Sequence, residues 1–391
     1  MNIVFVSMRS PLSYPGGAEI LTQVIAESLV RQGHRVTIYT AGLGRSSRVR
    51  GVRIRETFLL SFPMRFRTTL MPFYAFLLGA AFMRMHDFRT ADIVHAIDSD
   101  AIMLMSGWAF LRNKFVVTIQ DYAIIWPTKD YFLESTTTHP ICTVLDRLAV
   151  SVRKRVKLAA VARLRYAVCV SAFVAREVHK VNARTRLAVI GNCISPLWQQ
   201  HKLPKKRDID ILYVGKLMPY KGLDVLLQAV FLIARDYWCR VVIVGEGLHK
   251  RYAALATRLG ISDHITFTGP LAYARIPKYY LHSKIVVSPS IWPEPCGRSI
   301  IEAMWTGCAV VATSVGGTPE SLIDKTHGYL VSPSNPAAIA AACLRLLEDE
   351  KTRETFGKAA YSYARRLYTA DTIAKAYAHF YVLIKSHWLV I

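Results

Sequence analysis

Acidic residues are scarce in this chain of 391: 27 Asp and Glu stand against 50 Lys and Arg, a formal net charge of +23. An excess of that size leaves three kinds of partner: nucleic acid, an anionic membrane, or a phosphorylated substrate. Long apolar runs are lacking too. Although the mean hydropathy is +0.24, no segment reaches the roughly 18 residues that a membrane span needs. The longest run, Leu70 to Met83, is interrupted by Pro72 and flanked by Arg65, Arg67 and Arg84, so it is not expected to span. No charged leader precedes Ile3-Val4-Phe5-Val6, which reads as a buried strand rather than a signal peptide. The seven cysteines form no CxxC pair, which suggests a reducing compartment and argues against a disulfide framework or zinc site. The twelve histidines form no HxH or HxxxH pair, and no metal site is expected from them. Disorder is excluded by 52% apolar against 20% charged residues.

What is present is alternation. Ile3–Ser7 reads as a strand, Ala18–Gln32 as an amphipathic helix ended by Gly33, and Val36–Thr40 as the next strand. Short apolar runs recur at Ile93–Ala96, Phe115–Ile119 and Ala167–Ser171. After a Pro-containing, basic stretch from Pro196 to Asp208, read as a linker, the pattern restarts. Strands are expected at Ile209–Val214, Arg240–Val244, His264–Phe267, Ile285–Ser288 and Ala309–Ala312, with a helical tail from Lys351 to about Ser386. Strands alternating with helices imply parallel βαβ units. The expectation is an α/β chain of two Rossmann-like, doubly wound parallel-sheet domains. The first takes 1–200 with about 370–391 crossing back as a helix, the second 201–369.

Three constellations could carry chemistry. Tyr14-Pro15-Gly16-Gly17-Ala18-Glu19 lies between the first strand and first helix, where glycines let a ligand approach the backbone and the helix N-terminus offers N–H groups to an anion. Its spacing is not GxGxxG, which disfavours a nicotinamide dehydrogenase. As an alternative it is a plain strand-to-helix turn. Next, Gly215, Lys216 and Lys221 leave the first strand of the second half through a Gly/Pro turn, ahead of a helix starting near Leu223. Two ammonium groups there could hold one diphosphate, or simply form a solvated face. Last, Glu294 lies in a Pro-bracketed loop and Glu302 about one turn into a helix beginning near Arg298. A ligand at that helix start could meet the backbone N–H groups of Gly297 to Ser299 and both carboxylates, which suit pairs of sugar hydroxyls. Two other motifs are set aside: Asp98-Ser99-Asp100, a DxD spacing away from the expected nucleotide site, and Gly245-Glu246-Gly247, which lacks a third glycine.

Glu294 to Glu302 resembles the E-x7-E motif of retaining glycosyltransferases with the GT-B fold, and its surroundings resemble glycosyltransferase family four. Supporting segments run from Gly16-Gly17-Ala18-Glu19 through Val214–Gly222, Val244–Gly247, Phe267–Gly269 and Ser288–Ser290 to Gly316-Gly317-Thr318-Pro319-Glu320. The likeness covers nearly the whole chain and is densest from 209 to 335. It implies that Lys216 and Lys221 neutralise the nucleotide diphosphate, that Glu294 holds hydroxyls of the transferred sugar, and that Glu302 holds the ribose. Gly215, Cys296, Gly297, Arg298 and Ser299 would complete the donor site, with Gly269 and Leu271 beside the base. Gly16 and Gly17 would meet the diphosphate or acceptor from the first domain. Lys216 replaces the family's more usual Arg and gives up its planar fork. Where the family commonly has a His after the strand Val116–Ile119, this chain has Gln120-Asp121; Gln120 cannot titrate, and Asp121 is either a substitute or a turn residue.

The resemblance therefore implies a retaining transfer from a nucleoside diphosphate sugar to a hydroxyl acceptor; with Lys216, Lys221 and the helix start neutralising the diphosphate no metal ion or cofactor is expected, and the basic and apolar stretches point to an acceptor that is lipid-linked or membrane-associated. A GT-B epimerase or phosphorylase, or a catalytically degenerate membrane-associated subunit, are the rivals. The charge bears on location. Residues 1–200 hold 26 basic and 12 acidic residues, and Arg147 to Arg165 has seven cations with apolar residues at helical spacing. That is either a helix for an anionic membrane surface or one packed on the sheet with a basic outer face. Phe58 to Met85 is likewise either core or an apolar surface for lipid or acceptor. The expected place is cytoplasmic, peripheral on the inner face of the membrane; nucleic acid is not expected, since no binding motif accompanies the charge.

Overall fold

A computed structural model describes residues 1–7, 17–41, 44–57, 85–97, 113–120, 155, 158–204 and 206–386. The chain forms two compact units, Met1–Cys193 with Ala370–Ile391, and Ile194–Thr369.

The first unit is built on eight strands: β1 (Asn2–Ser7), β2 (Arg35–Ala41), β3 (Ser46–Val49), β4 (Val52–Thr57), β5 (Ile93–Ala96), β6 (Phe115–Ile119), β7 (Tyr166–Cys169) and β8 (Arg186–Val189). They run in the order β3-β4-β2-β1-β5-β6-β7-β8. All pairings are parallel except the β3–β4 hairpin. Central strands such as Phe115–Ile119 are buried along their whole length, as expected of parallel strands covered on both faces. Helices Gly17–Arg31 and Ala370–Ser386 pack on one face around Phe5, Ile38, Ile93 and Tyr377. Arg31 and the Ser28 hydroxyl both bind the Asp371 carboxylate and so tie the two helices together. Inside, His95 lies between the hydroxyls of Tyr381 and Thr118, the latter 2.7 Å from Nε2. Burial pushes the pKa of this imidazole down to about 3 and keeps it neutral.

The second unit has six strands: β9 (Ile209–Val214), β10 (Val241–Val244), β11 (Ile265–Gly269), β12 (Ser283–Ser288), β13 (Ala309–Thr313) and β14 (Gly328–Val331). Their order is β11-β10-β9-β12-β13-β14, all parallel. One face packs against helices Leu223–Ile233 and Pro336–Glu348, the other against Arg298–Trp305 and Glu350–Leu367.

The expected linker is corrected in both halves. Pro196–Gln199 is a helical turn capped by Ser195, and it buries Trp198 to 1% exposure. Arg207, read as part of a basic run, directs its guanidinium onto the carbonyls of Tyr280, Leu281, Ser283, Thr306 and Gly307. The expected single tail helix is two, divided where the Tyr368 N–H closes on Ala364 and the Ile194 N–H bonds the Tyr368 carbonyl. Strands β3, β4, β8 and β14 had no clear apolar signal. In β4, Arg53 and Arg55 alternate with the buried Val52 and Ile54. Among the described residues no helix is long and apolar enough to cross a membrane. The Leu70–Met83 run, and all of Arg147–Arg165 but Arg155 and 158–165, lie outside the described residues. At that described end Ala160, Val161 and Leu164 are buried, so their apolar surface faces protein.

Candidate active site

The order of the second sheet reverses between β9 and β12. Ligands of open α/β sheets bind outside the strand C-termini at such a switch point. Two loops leave there.

The first carries Gly215, Lys216 and Lys221. The Tyr213 hydroxyl donates to the Lys216 carbonyl over 2.8 Å, and the Lys216 side chain is exposed. Pro219–Lys221 forms a 3-10 turn that ends at Gly222, in the left-handed region at φ +70°. A Cβ on Gly222 would stand 1.9 Å from the Pro289 carbonyl oxygen, so only glycine fits. The neighbouring Tyr220 carbonyl accepts from the N–H groups of Ile291 and Trp292. The two loops are thus bound backbone to backbone.

This contact sets Lys221 against Glu294, with Nζ donating to Oε1 over 2.6 Å. The Ser290 hydroxyl binds the same carboxylate oxygen. From the other side the Gly317 N–H donates to the Glu294 carbonyl over 2.7 Å. Gly316, at φ +57°, lies so near that a Cβ would be 2.4 Å from that oxygen. Glu294 is therefore fixed at both backbone and side chain.

The chain then enters helix Arg298–Trp305, whose N-cap, Gly297, brings no capping side chain. The first N–H groups of the helix, with its dipole, are available to an anion. Glu302, 7% exposed, accepts from the Tyr280 hydroxyl over 3.0 Å and lies 3.5 Å from an Arg298 guanidinium nitrogen. Burial raises its pKa, opposed by the Arg298 charge and the Tyr280 hydrogen bond.

Lys221, Glu294, Gly297 and the start of the helix are thus assembled on one edge. Lys216 is not tied to them: among the described residues its ammonium has no partner. Gly269 ends β11 at φ +71°, and its carbonyl accepts from Gly245. Leu271 packs on the core beneath the helix of Glu302, as does Cys296. Gly245 and Gly247 are packing positions: Cβ atoms on them would meet the Gly215 and Leu217 carbonyls at 1.8 and 2.6 Å. In the first unit Gly17 opens its helix and Gln120, half-buried, follows β6. Gly16, Asp121 and the Asp98–Asp100 triplet lie outside the described residues. Ser290 and Tyr280, which hold the two glutamates, were not singled out from sequence. Ser288-Pro289-Ser290 supplied only a segment of the resemblance, and nothing marked Tyr280. Among the described residues no group of His, Cys, Asp or Glu is placed to hold a metal ion.

Two family models match the chain in succession. Residues 15–196 match the model described as Glycosyltransferase Family 4, and 195–363 the model described as Glycosyl transferases group 1. An uncharacterised glycosyltransferase of Methanocaldococcus jannaschii is 28% identical, covering 97% of this chain and 98% of that one. A D-inositol 3-phosphate glycosyltransferase of Streptomyces griseus is 37% identical over 45% of this chain. That alignment spans only 39% of the relative. Among solved structures, sucrose-phosphate synthase of Thermosynechococcus elongatus superposes with a TM-score of 0.77 at 20% identity, covering 98% of this chain and 99% of that one. The Anabaena protein HepE, in complex with UDP and glucose, gives 0.69 at 21%, covering 97% and 99%. At these identities the structures show the fold, two parallel-sheet α/β domains of the GT-B kind.

Proposed function

We propose a reaction for this chain from the fact that it belongs to the glycosyltransferases, with a family 4 domain followed by a group 1 domain. It transfers a sugar, with retention and without a metal ion, from a nucleoside diphosphate sugar to a hydroxyl acceptor that is lipid-linked or membrane-associated. The second unit binds the donor and the first the acceptor. The observation that carries this reading is the Lys221–Glu294 pair beside the uncapped helix start at Gly297.

Lys221 would exchange Glu294 for the diphosphate when the donor arrives. That exchange frees the Glu294 carboxylate to accept from sugar hydroxyls, while Ser290 holds it in place. Lys216, Lys221 and the N–H groups at Gly297 to Ser299 then face the phosphate oxygens where negative charge grows as the glycosidic bond breaks. Preorganised positive charge of this kind replaces what a metal ion would supply. Glu302 would hold the ribose hydroxyls, with Gly215, Cys296 and Arg298 around the diphosphate and Gly269 and Leu271 beside the base. The acceptor hydroxyl attacks from the face that the diphosphate leaves, and its proton passes to the departing phosphate oxygen. That step uses no enzymic base, which suits Gln120.

The excess of cations over acids in residues 1–200 supports a place in the cytoplasm at the inner face of an anionic membrane. A thermal-shift panel of UDP, GDP, ADP and their sugars tests the reading, with UDP sugars first because HepE was solved with UDP. A rise in melting temperature with one nucleotide, abolished by Lys221→Ala, is expected. If no nucleotide shifts it, the chain is a degenerate subunit.

A further inference from the structure

The first unit holds a second basic site, at the opposite end of its sheet from the strand C-termini. At the starts of β6, β7 and β8, Arg163, Arg165, Arg184 and Arg186 line a cavity of about 560 Å³. No carboxylate lines it. Elsewhere in the same unit Arg31, Arg50, Arg55, Lys180 and Lys385 have an acidic partner within 4 Å, whereas Arg35, Arg45, Arg48, Arg53 and Arg89 have none among the described residues; what sets the four apart is that they share one cavity. The guanidinium groups of Arg163, Arg184 and Arg186 have no acidic partner among the described residues, and Arg165 binds only the Asn113 side-chain oxygen and the Tyr166 ring.

Side-chain bonds hold the backbone around the cavity. The Asn182 Nδ2 lies 3.0–3.2 Å from the carbonyls of Val161, Ala162 and Leu164, which share its two hydrogens. The Thr185 hydroxyl takes Leu164 as well, and the Arg186 N–H closes on the Arg165 carbonyl over 2.8 Å. These bonds fix the backbone that carries the arginines. Like charges gathered without a counter-charge repel and lower stability unless an anion joins them.

We infer that this cavity binds a phosphate group, with the four guanidinium forks meeting its oxygens. Guanidinium pairs with phosphate bidentately, and the volume admits a phosphate with a small organic group attached. The same chemistry comes from a free phosphorylated molecule or from a phosphomonoester lipid headgroup. The site is separate from the donor site of the second unit and does not depend on the reaction proposed for it.

Hydrogen exchange read at residues 158–165 and 182–190 separates this cavity from the lysines of the second unit. Pyrophosphate is the free probe; vesicles of phosphatidic acid in phosphatidylcholine, against phosphatidylcholine alone, are the lipid probe. Added protection of those segments is expected from at least one probe. The double substitution Arg184→Gln with Arg186→Gln should weaken it at least about tenfold, since each lost charge-assisted bond counts heavily. Both residues are exposed, so the melting temperature without ligand should hold; if the pair fails to fold, Arg163→Gln with Arg184→Gln replaces it. A response to pyrophosphate alone assigns a soluble ligand, and a response to the acidic vesicles assigns a lipid headgroup. Absence of protection with both probes, or protection that survives the substitutions, overturns the site.

Discussion

His95 in the first unit and Glu302 in the second are both ionisable and both buried, yet their surroundings differ in kind. His95 meets two hydroxyls and no charge, and burial alone depresses its pKa. Its polar atoms are fully used within the fold, between two strands and the last helix. Glu302 stands one turn inside a helix whose start is uncapped, held by one hydroxyl and a longer contact to one guanidinium. A carboxylate accepts about four hydrogen bonds, so Glu302 retains capacity for a ligand's hydroxyls. The contrast teaches how to read burial: a closed neutral network serves the fold, while a buried charge with spare acceptors at a strand-end edge serves binding.

If that distinction is right, substitutions on the two sides should act on different quantities. Lys221→Ala should lower transfer by about 10²-fold, the usual cost of one preorganised contact, and leave the melting temperature nearly unchanged. Near-normal turnover would remove Lys221 from the diphosphate. Glu294→Gln should depress turnover more than nucleotide affinity, and Glu302→Ala the reverse, by steady-state kinetics beside calorimetric nucleotide binding; equal effects on both would mean the two roles are not divided. Gly222→Ala places a methyl on the Pro289 carbonyl and should destabilise the second unit by about 2 kcal/mol or more in urea titration, with loss of donor binding. His95→Phe should cost stability of the first unit, by about 1–3 kcal/mol for the stranded Tyr381 hydroxyl, without altering donor affinity; the Thr118 hydroxyl keeps that of Tyr377 at 3.2 Å.

The pH dependence separates the two residues as well, with opposite signs. The unfolded chain protonates His95 near its usual 6.5, whereas the folded chain resists until about 3. Its contribution is therefore present above about 6.5 and is lost as pH falls toward 3. Glu302 has a raised pKa in the folded chain, so its contribution is present below the usual carboxylate range and is lost as pH rises through the raised value. Protection from hydrogen exchange at β6 should weaken on acidification, a trend that His95→Phe flattens. At helix Arg298–Trp305 it should weaken on neutralisation, a trend that Glu302→Gln flattens. Parallel trends in both regions would erase the contrast.

The central strands were legible because parallel strands covered on both faces are continuous Val and Ile runs. Strand β4 was not, since arginines at alternate positions dilute the apolar signal of Val52 and Ile54. Lys221 and Glu294 could be picked out by their place at strand ends, but not their 2.6 Å contact, which follows from how the two loops bind each other. Arg207 was misread because a cation among prolines looks like solvated linker. Its partners are carbonyls at the ends of two helices and at the start of β12, far along the chain, and backbone acceptors leave no trace in residue identity. Ser290 and Tyr280 escaped notice for a related reason: they act only through the carboxylates they hold.

The close approach of Gly222 to Pro289 also bears on the order of assembly. The turn before Gly222 follows β9, while Pro289 follows β12, and β10 and β11 with their helices are made in between. Lys221 cannot meet Glu294 until β9 and β12 lie side by side. A nucleotide would then recognise only chains in which the middle of the sheet has closed, and would draw the folding equilibrium toward them by mass action. Nucleotide added during refolding should therefore report the moment that β12 docks, before the edge strands on either side need be complete.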